Sequence, residues 1–208
     1  ERRMKQLIAD LKQTEDSLPL ASEEIVTLLT QHLSCKGTSR LPVLMVASAY
    51  QTIKEQIGEE NKPLEDHHAA DKQSGSIGDV EILLTSDNRM VTCYEMKDKC
   101  VTKTDLDIAL QKLSTSEHKI DNYIFITTET ITLEVAEYAK SLYERTEIEF
   151  VILDCIGFIR HFLHFCHRQR NDFLNIYQSM VLAEPISSVS QPLKEAFLAL
   201  RRAATIDK

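Results

Sequence analysis

The chain has 208 residues, 43 % of them hydrophobic and 27 % charged, which is enough for one soluble globular domain with a full core. Its formal net charge of −8 argues against a protein that coats nucleic acid through bulk positive charge, although a local basic groove stays open. No apolar run approaches the roughly 18 residues that a membrane helix needs, so we expect no membrane contact.

The start of the chain and its cysteines indicate its setting. The first residue is Glu1 and no signal-peptide pattern follows, so we expect an excised domain or a chain that lacks an N-terminal part. The five cysteines are scattered, odd in number and without a CxxC pair. This favours reduced thiols over a disulfide framework, and we expect a cytoplasmic location.

Helical patterns fill the first quarter of the chain. Residues 1–17 predict a polar helix with a thin apolar stripe, and Ser22 begins a second helix that runs to about Leu33. Pro42 stands at a favoured first-turn position, and the segment from there to Ile57 is apolar nearly all round, as is typical of a buried helix. Residues 58–78 form a long polar connection, which is usually functional or disordered.

Strand patterns begin at residue 79. DVEILL and MVTCYEMK, joined by SDNR, predict a β-hairpin. The next segment, TKTDLDIALQKLST, predicts a helix with Thr104 as its N-cap. The remaining patterns predict a strand over 122–128, a helix over 132–146, a strand over 147–154, a long or broken helix over 156–182, and a last helix over 192–204. This order gives an α/β fold with a mixed sheet covered by helices.

The hairpin brings charged side chains together at the end away from its turn. With the turn centred on Asp87, Asp79 lies opposite Glu95. Because side chains alternate along a strand, Glu95 and Lys97 share one face with Asp79 and Glu81. That face also carries Leu83, Val91 and Cys93, whereas the opposite face is nearly pure core, with Val80, Ile82, Leu84, Met90, Thr92, Tyr94 and Met96.

Paired carboxylates on neighbouring strands suit a bound cation. Exposed like charges opposite each other repel by up to about 1 kcal/mol, and a cation between them removes that penalty. Mg²⁺ takes one or two carboxylates together with a substrate phosphate, and a nearby lysine stabilises charge on an attacking water or a transition state. The alternative is an ordinary solvated hairpin, since cross-strand Glu–Lys pairs are common and this spacing is a loose pattern.

Asp79, Glu95 and Lys97 resemble the D…ExK signature of the PD-(D/E)xK nuclease superfamily, with Gly78 where the superfamily pattern has Pro. The segments GTSRLPVLMVASAYQ, HHAADKQSGSIGDVEI, YEMKDK and QPLKEAFLALRRA resemble type II restriction endonucleases, most of all the SacI-type family. The resemblance implies a single nuclease domain over 1–208. Within it are a helical extension (1–35), a restriction-endonuclease-like core with the order α-β-β-β-α-β and a mixed sheet flanked by helices (40–155), and C-terminal helices (156–208).

The resemblance also implies roles for the hairpin residues. Asp79 and Glu95 would bind Mg²⁺, and the backbone carbonyl of Met96 would face the metal. Lys97 would orient or activate the water that attacks the scissile phosphate.

Other members of such sites come from neighbouring helices. An acid from the preceding helix often joins the metal site, and the candidates here are Glu55, which we favour, Glu59 and Glu60. Gln111 matches the position of a Gln or Lys on the following helix that some superfamily members use near the site.

Several basic and polar residues are candidates for DNA contacts, against the simpler interpretation of a solvated surface. They are His67, His68, Lys72, Ser74 and Ser76 in the long connection, Lys99 and Lys103 after the second hairpin strand, and Arg168 and Arg170 in the C-terminal helices. A zinc site at His67 and His68 lacks further ligands at suitable spacing.

The expected function is therefore that of a Mg²⁺-dependent, type II-like restriction endonuclease that hydrolyses phosphodiester bonds of double-stranded DNA. Such enzymes cut palindromes as two-fold dimers, which predicts a homodimer. A missing N-terminal part or a methyltransferase is a candidate partner. Two alternatives stay open: a structure-directed repair or recombination nuclease of the same superfamily, and a non-catalytic DNA-binding module, which the net charge favours.

Overall fold

The protein is described here by a computed structural model, in which residues 2–13, 18–64 and 76–206 are described. They divide into two compact units, one made of residues up to Thr52 together with residues from Ile159 onward, and the other of Ile53–Phe158. Whether the whole chain acts as one nuclease domain stays a prediction. None of the described helices is both long and apolar enough to cross a membrane.

The helices and strands follow the predicted order with one addition. They are α1 (Arg2–Gln13), α2 (Ser22–Leu33), α3 (Leu41–Ile57), β1 (Glu59–Asn61), β2 (Val80–Leu84), β3 (Met90–Lys97), α4 (Lys103–Ser114), β4 (Asn122–Thr127), α5 (Leu133–Ser141), α6 (Tyr143–Thr146), β5 (Glu149–Asp154), α7 (Cys155–Phe165), a 3₁₀ turn (His167–Gln169), α8 (Arg170–Ala183) and α9 (Gln191–Ile206). The added element is β1. The predicted helix over 132–146 is divided into α5 and α6, and the predicted helix over 156–182 is broken at Cys166.

The first unit is helical, and aromatic rings fill its core. Tyr177 of α8 and Phe197 of α9 are fully buried with ring centroids 5.3 Å apart. His32 of α2 lies beside them, with Nδ1 3.1 Å from the Tyr177 hydroxyl and Nε2 3.1 Å from the Leu193 carbonyl oxygen. Each large apolar side chain buried in this way contributes about 1.5–3 kcal/mol.

The second unit contains a five-stranded mixed sheet in the order β1-β2-β3-β4-β5. β2 is antiparallel to both of its neighbours, β1 and β3, whereas β3, β4 and β5 are parallel to one another. The order α3-β1-β2-β3-α4-β4 reproduces the predicted α-β-β-β-α-β core, and the predicted α/β class is confirmed.

The register predicted for the hairpin is confirmed at the end away from its turn. Val80 lies opposite Tyr94 and Glu81 opposite Cys93, which is the register that a turn centred on Asp87 predicts. The Asp79 N–H donates to the Tyr94 carbonyl oxygen at 2.7 Å, which continues the ladder to the last residue before β2.

At the turn end, the predicted alternation is wrong for Met90. The register shifts between Ile82 and Leu83, and Leu83 pairs with Met90. A shift of one residue reverses the faces beyond it, so Met90 lies on the face of Cys93, where the predicted alternation put Val91, and belongs to the buried cluster on that face.

Both faces of the hairpin, and not only one as predicted, contribute to a core. The face that carries Cys93 continues across Tyr123 and Phe125 of β4 and Phe150 of β5. Buried residues of two helices cover it: Leu106 and Ala109 of α4, and Val135 and Ala139 of α5.

Helix α4 begins two residues earlier than predicted, because its N-cap is Thr102 and not Thr104. The Thr102 hydroxyl accepts from the Asp105 N–H, and the Asp105 carboxylate accepts from the Thr102 N–H, which is a capping box. This cap fixes the start of α4, with five residues between the end of β3 and the first residue of the helix.

Candidate active site

The Asp79 carboxylate lies across the end of β3. Its Oδ2 accepts a hydrogen bond from the Met96 N–H at 2.7 Å. The Met96 N–H thus bonds to the side chain of Asp79 and not to a backbone carbonyl of the β2 strand. It holds the Asp79 side chain against the backbone between Glu95 and Lys97.

Three groups surround the Glu95 carboxylate, which is 17 % exposed. Lys97 Nζ lies 3.1 Å from Oε1, and Lys112 Nζ of α4 lies 3.5 Å from Oε2. The Tyr123 hydroxyl lies 3.2 Å from Oε2 and 3.1 Å from the Ile77 carbonyl oxygen. Burial, followed by the charge of Glu95, raises the pKa of Tyr123 well above its usual range, so the phenol stays a hydrogen-bond donor.

Lys97 lies between two carboxylates. Its Nζ is 3.1 Å from Glu95 Oε1 and 3.5 Å from Asp105 Oδ1. Burial acts to lower the pKa of Lys97, but the charges and hydrogen bonds of Glu95 and Asp105 outweigh it and raise that pKa above its ordinary value. Lys97 is therefore a protonated ammonium at neutral pH.

Glu81 holds the chain just before Asp79, and its side chain is 4 % exposed. Its Oε1 accepts from the Ile77 N–H at 2.8 Å and from the Ser76 hydroxyl at 3.1 Å, and its Oε2 lies 2.9 Å from Lys62 Nζ. Burial, followed by the charges of Glu81 and Glu95, raises the pKa of the neighbouring Cys93 thiol to about 12, so that thiol is unreactive.

Two residues of α4 that the sequence analysis did not single out reach the site. They are Asp105 and Lys112. They are seven residues apart, which is two helical turns, so they share one face of α4. Gln111, the sequence candidate on this helix, is exposed and lies about 100° around the helix from Lys112. The phase of the buried residues Leu106 and Ala109 is the signal that points to this face.

The structure does not bring the predicted third acid to Asp79. Glu59 pairs with Leu84 and Glu60 with Leu83, at the turn end of the hairpin, about 17 Å along β2 from Asp79. The Glu55 side chain is 85 % exposed, and its Oε1 lies 3.9 Å from Lys54. Burial, followed by the charge of Asp121, raises the pKa of Glu59. This shift arises at the turn end of the hairpin and not beside Asp79.

The donor set at the end of β3 is a pair and not a cluster. Within the described ranges, no three His, Cys, Asp or Glu side chains converge as a metal-binding group. Asp79 and Glu95 supply two carboxylates from adjacent strands. Mg²⁺ keeps several waters and binds through one or two carboxylates plus phosphate oxygens, so this pair fits Mg²⁺ and does not fit a closed zinc site.

The candidate DNA contacts have different surroundings. His67, His68, Lys72 and Ser74 lie outside the described residues. Lys99 and Arg168 are exposed. The remaining three have partners: Ser76 donates to the Gly78 carbonyl oxygen at 2.7 Å, Lys103 Nζ lies 2.7 Å from Glu134 Oε1, and Arg170 Nε donates to the Leu20 carbonyl oxygen at 2.8 Å.

Comparison with known proteins gives one family. The family model described as the SacI restriction endonuclease C-terminal domain matches residues 17–129, which is more than half of the chain. The matched range includes β1 to β4, α4, and the residues Asp79, Glu95 and Lys97. No curated protein matches the chain.

Proposed function

The chain belongs to the SacI restriction endonuclease C-terminal domain family, and from this we propose that it is a Mg²⁺-dependent endonuclease that hydrolyses phosphodiester bonds of double-stranded DNA. One observation carries the proposal. Asp79 is bonded to the backbone of Met96, between the neighbouring side chains of Glu95 and Lys97, so an acid pair and an ammonium meet at one end of the sheet.

The chain's own residues provide oxygen ligands at this place. Asp79 and Glu95 would hold the metal through carboxylates. The Met96 carbonyl is the third donor, since the N–H and C=O of one strand residue point to the same edge and the Met96 N–H points to Asp79. When bound, Mg²⁺ would act as a Lewis acid on the phosphoryl oxygens of the substrate.

Lys97 acts as a cation in this proposal. In the metal-free protein Glu95 and Asp105 raise the pKa of Lys97, and Asp105 remains 3.5 Å away when Glu95 binds the metal, so we expect Lys97 to keep its proton and to be a poor general base. A fixed ammonium donates hydrogen bonds to the attacking water and stabilises the negative charge that develops on the transferred phosphoryl group. Of the two roles expected from the sequence, orienting the water is the one that this charge state favours.

The substrate and assembly follow from the family. We propose that the products carry 5′-phosphate and 3′-hydroxyl ends, and that two copies cut a palindromic site as a two-fold dimer. The net charge of −8 implies that DNA binds through a few basic side chains and not through the charge of the whole surface. Lys99 and Arg168, which are exposed, are the proposed phosphate contacts.

The experiment compares conservative variants of the three site residues. Cleavage of plasmid DNA is timed for Asp79→Asn, Glu95→Gln and Lys97→Met, and DNA binding is measured in EDTA for the same proteins. The proposal predicts a loss of cleavage of about 100-fold or more in each variant with binding retained.

The matched control is Asp121→Asn, which makes the same chemical change at an exposed acid that pairs with Arg89 at the opposite end of β4. It should cleave like the parent protein. Full activity in any one of the three site variants would remove that residue from the catalytic set, and full activity in all three would refute the proposal.

A further inference from the structure

Asp105 links the start of α4 to the end of β3. One of its oxygens, Oδ2, accepts from the Thr102 N–H at 2.9 Å and the Thr102 hydroxyl at 2.6 Å. The other oxygen, Oδ1, lies 3.5 Å from Lys97 Nζ. The side chain is 10 % exposed, so this capping residue is enclosed between its helix and the strand.

A helix cap does not by itself require the second of these contacts. The capping box consists of the reciprocal bonds between Thr102 and Asp105 and does not involve Lys97. Without Asp105, Lys97 would face the amino end of α4, where the partial positive charge of the helix repels an ammonium. The carboxylate reverses the sign of the field that Lys97 meets at this place.

Lys97 also needs a holder other than Glu95. A lysine ammonium stands on a flexible four-carbon stem, so one contact leaves its position poorly defined. Glu95 lies 3.1 Å from Lys97, but the proposed function uses the same carboxylate as a metal ligand. Asp105 is the acid beside Lys97 that is fixed by its own backbone contacts and has no metal to bind.

We propose that Asp105 is a positioning residue, which holds the Lys97 ammonium in place while Glu95 binds the metal. The proposal deepens the proposed function and rests on it. Asp105 is not expected to touch the substrate, and its effect is exerted through Lys97.

The test uses Asp105→Asn. An amide has one oxygen, and if that oxygen accepts from Thr102, the NH₂ group faces Lys97 and cannot accept a hydrogen bond from it. The cap is thus kept while the hold on Lys97 is removed. Two controls accompany it: Asp107→Asn makes the same change at an exposed residue of α4, and Thr102→Ala weakens the cap but leaves the Asp105 carboxylate.

Two readouts separate this proposal from the proposed function. The first is the ¹³Cε relaxation of Lys97 in lysine-labelled protein without metal or DNA, measured in a Glu95→Ala background so that the Glu95 carboxylate does not hold the ammonium, with Lys97→Met identifying the signal. Asp105→Asn should convert a rigid Lys97 side chain into a mobile one, and both controls should leave it rigid. The second is steady-state cleavage, in which Asp105→Asn should lower kcat by about 100-fold with KM for DNA unchanged.

The outcomes decide between roles. A Lys97 signal that stays rigid in Asp105→Asn overturns the proposal whether or not the protein cleaves DNA. Equal mobility and equal loss of kcat in Thr102→Ala also overturn it, because Asp105 would then act only as a cap. If the parent protein cleaves no DNA but Lys97 is released only in Asp105→Asn, the positioning stands and the proposed function fails.

Discussion

Replacing Gly78 by alanine tests whether the hairpin holds Asp79 as described. A Cβ atom at residue 78 would lie 2.7 Å from the Tyr94 carbonyl oxygen and 3.5 Å from the Cys93 Cβ. The first distance is shorter than carbon–oxygen contacts allow, and the atom it meets is backbone in the middle of a sheet. The same oxygen accepts the Asp79 N–H at 2.7 Å, so the two strands must separate where they carry the site.

The expected cost can be worked from these contacts. Forcing a methyl group into filled space costs about 1–3 kcal/mol, and losing the Asp79–Tyr94 hydrogen bond costs about 1 kcal/mol more. Separation of the strands also draws the Asp79 carboxylate away from the Met96 N–H. We therefore expect Gly78→Ala to lower the free energy of unfolding by about 2–4 kcal/mol and to lower the cleavage rate of the folded fraction.

Urea unfolding measures the first effect, and Mg²⁺-dependent cleavage per folded molecule measures the second. Gly37→Ala is the control, because Gly37 has a left-handed φ of 74° and no atom within 4 Å of a Cβ. It should lose about 1–2 kcal/mol from backbone strain alone and keep its cleavage rate. Parent-like stability and activity in Gly78→Ala would refute the close approach of residue 78 to Tyr94.

Three further predictions concern stability. Burial lowers the pKa of His32 from 6.5 to about 4. The free energy of unfolding, measured with urea, should therefore be unaffected by His32 above pH 6.5 and should fall by up to about 3 kcal/mol as the pH drops to 4. His32→Gln should flatten this dependence on pH. Arg40 lies 3.0 Å from Glu184, whose side chain is 11 % exposed. Arg40→Met removes that partner and should lower the free energy of unfolding in urea by about 3–5 kcal/mol, and the double variant with Glu184→Met should recover part of the loss. Glu147→Gly should raise the thermal midpoint, because Glu147 ends α6 with a left-handed φ of 59°; a lower midpoint would contradict that reason.

The sequence predicted the hairpin pairing beside the candidate site because short-range rules govern it. A turn near Asp87 and alternation along two strands were enough to predict that Val80 pairs with Tyr94 and Glu81 with Cys93, next to Asp79 and Glu95. The register shift between Ile82 and Leu83 could not be read in the same way, since a bulge leaves no mark in an apolar strand. It reversed the faces of Met90 and Val91 without disturbing the pairs nearer the site.

Residues on neighbouring elements were less predictable. Glu59 and Glu60 form the short polar strand β1, and its direction carries them to the turn end of the hairpin and away from Asp79. On α4 the choice between Gln111 and Lys112 depended on helical phase, which tertiary packing sets through Leu106. The sequence thus predicted the strand pairing beside the candidate site but not which helical side chains lie next to Glu95 and Lys97.

Cleavage of DNA by the purified chain tests the central claim most directly. Plasmid and genomic DNA are incubated with the parent protein and with Asp79→Asn, each with Mg²⁺ and with EDTA. Discrete fragments that require Mg²⁺ and are absent with Asp79→Asn are the predicted result, and a smear with the same dependence would indicate a structure-directed or nonspecific nuclease. Cleavage that survives Asp79→Asn, or no cleavage under any condition, would contradict the assignment of this site as catalytic in this chain.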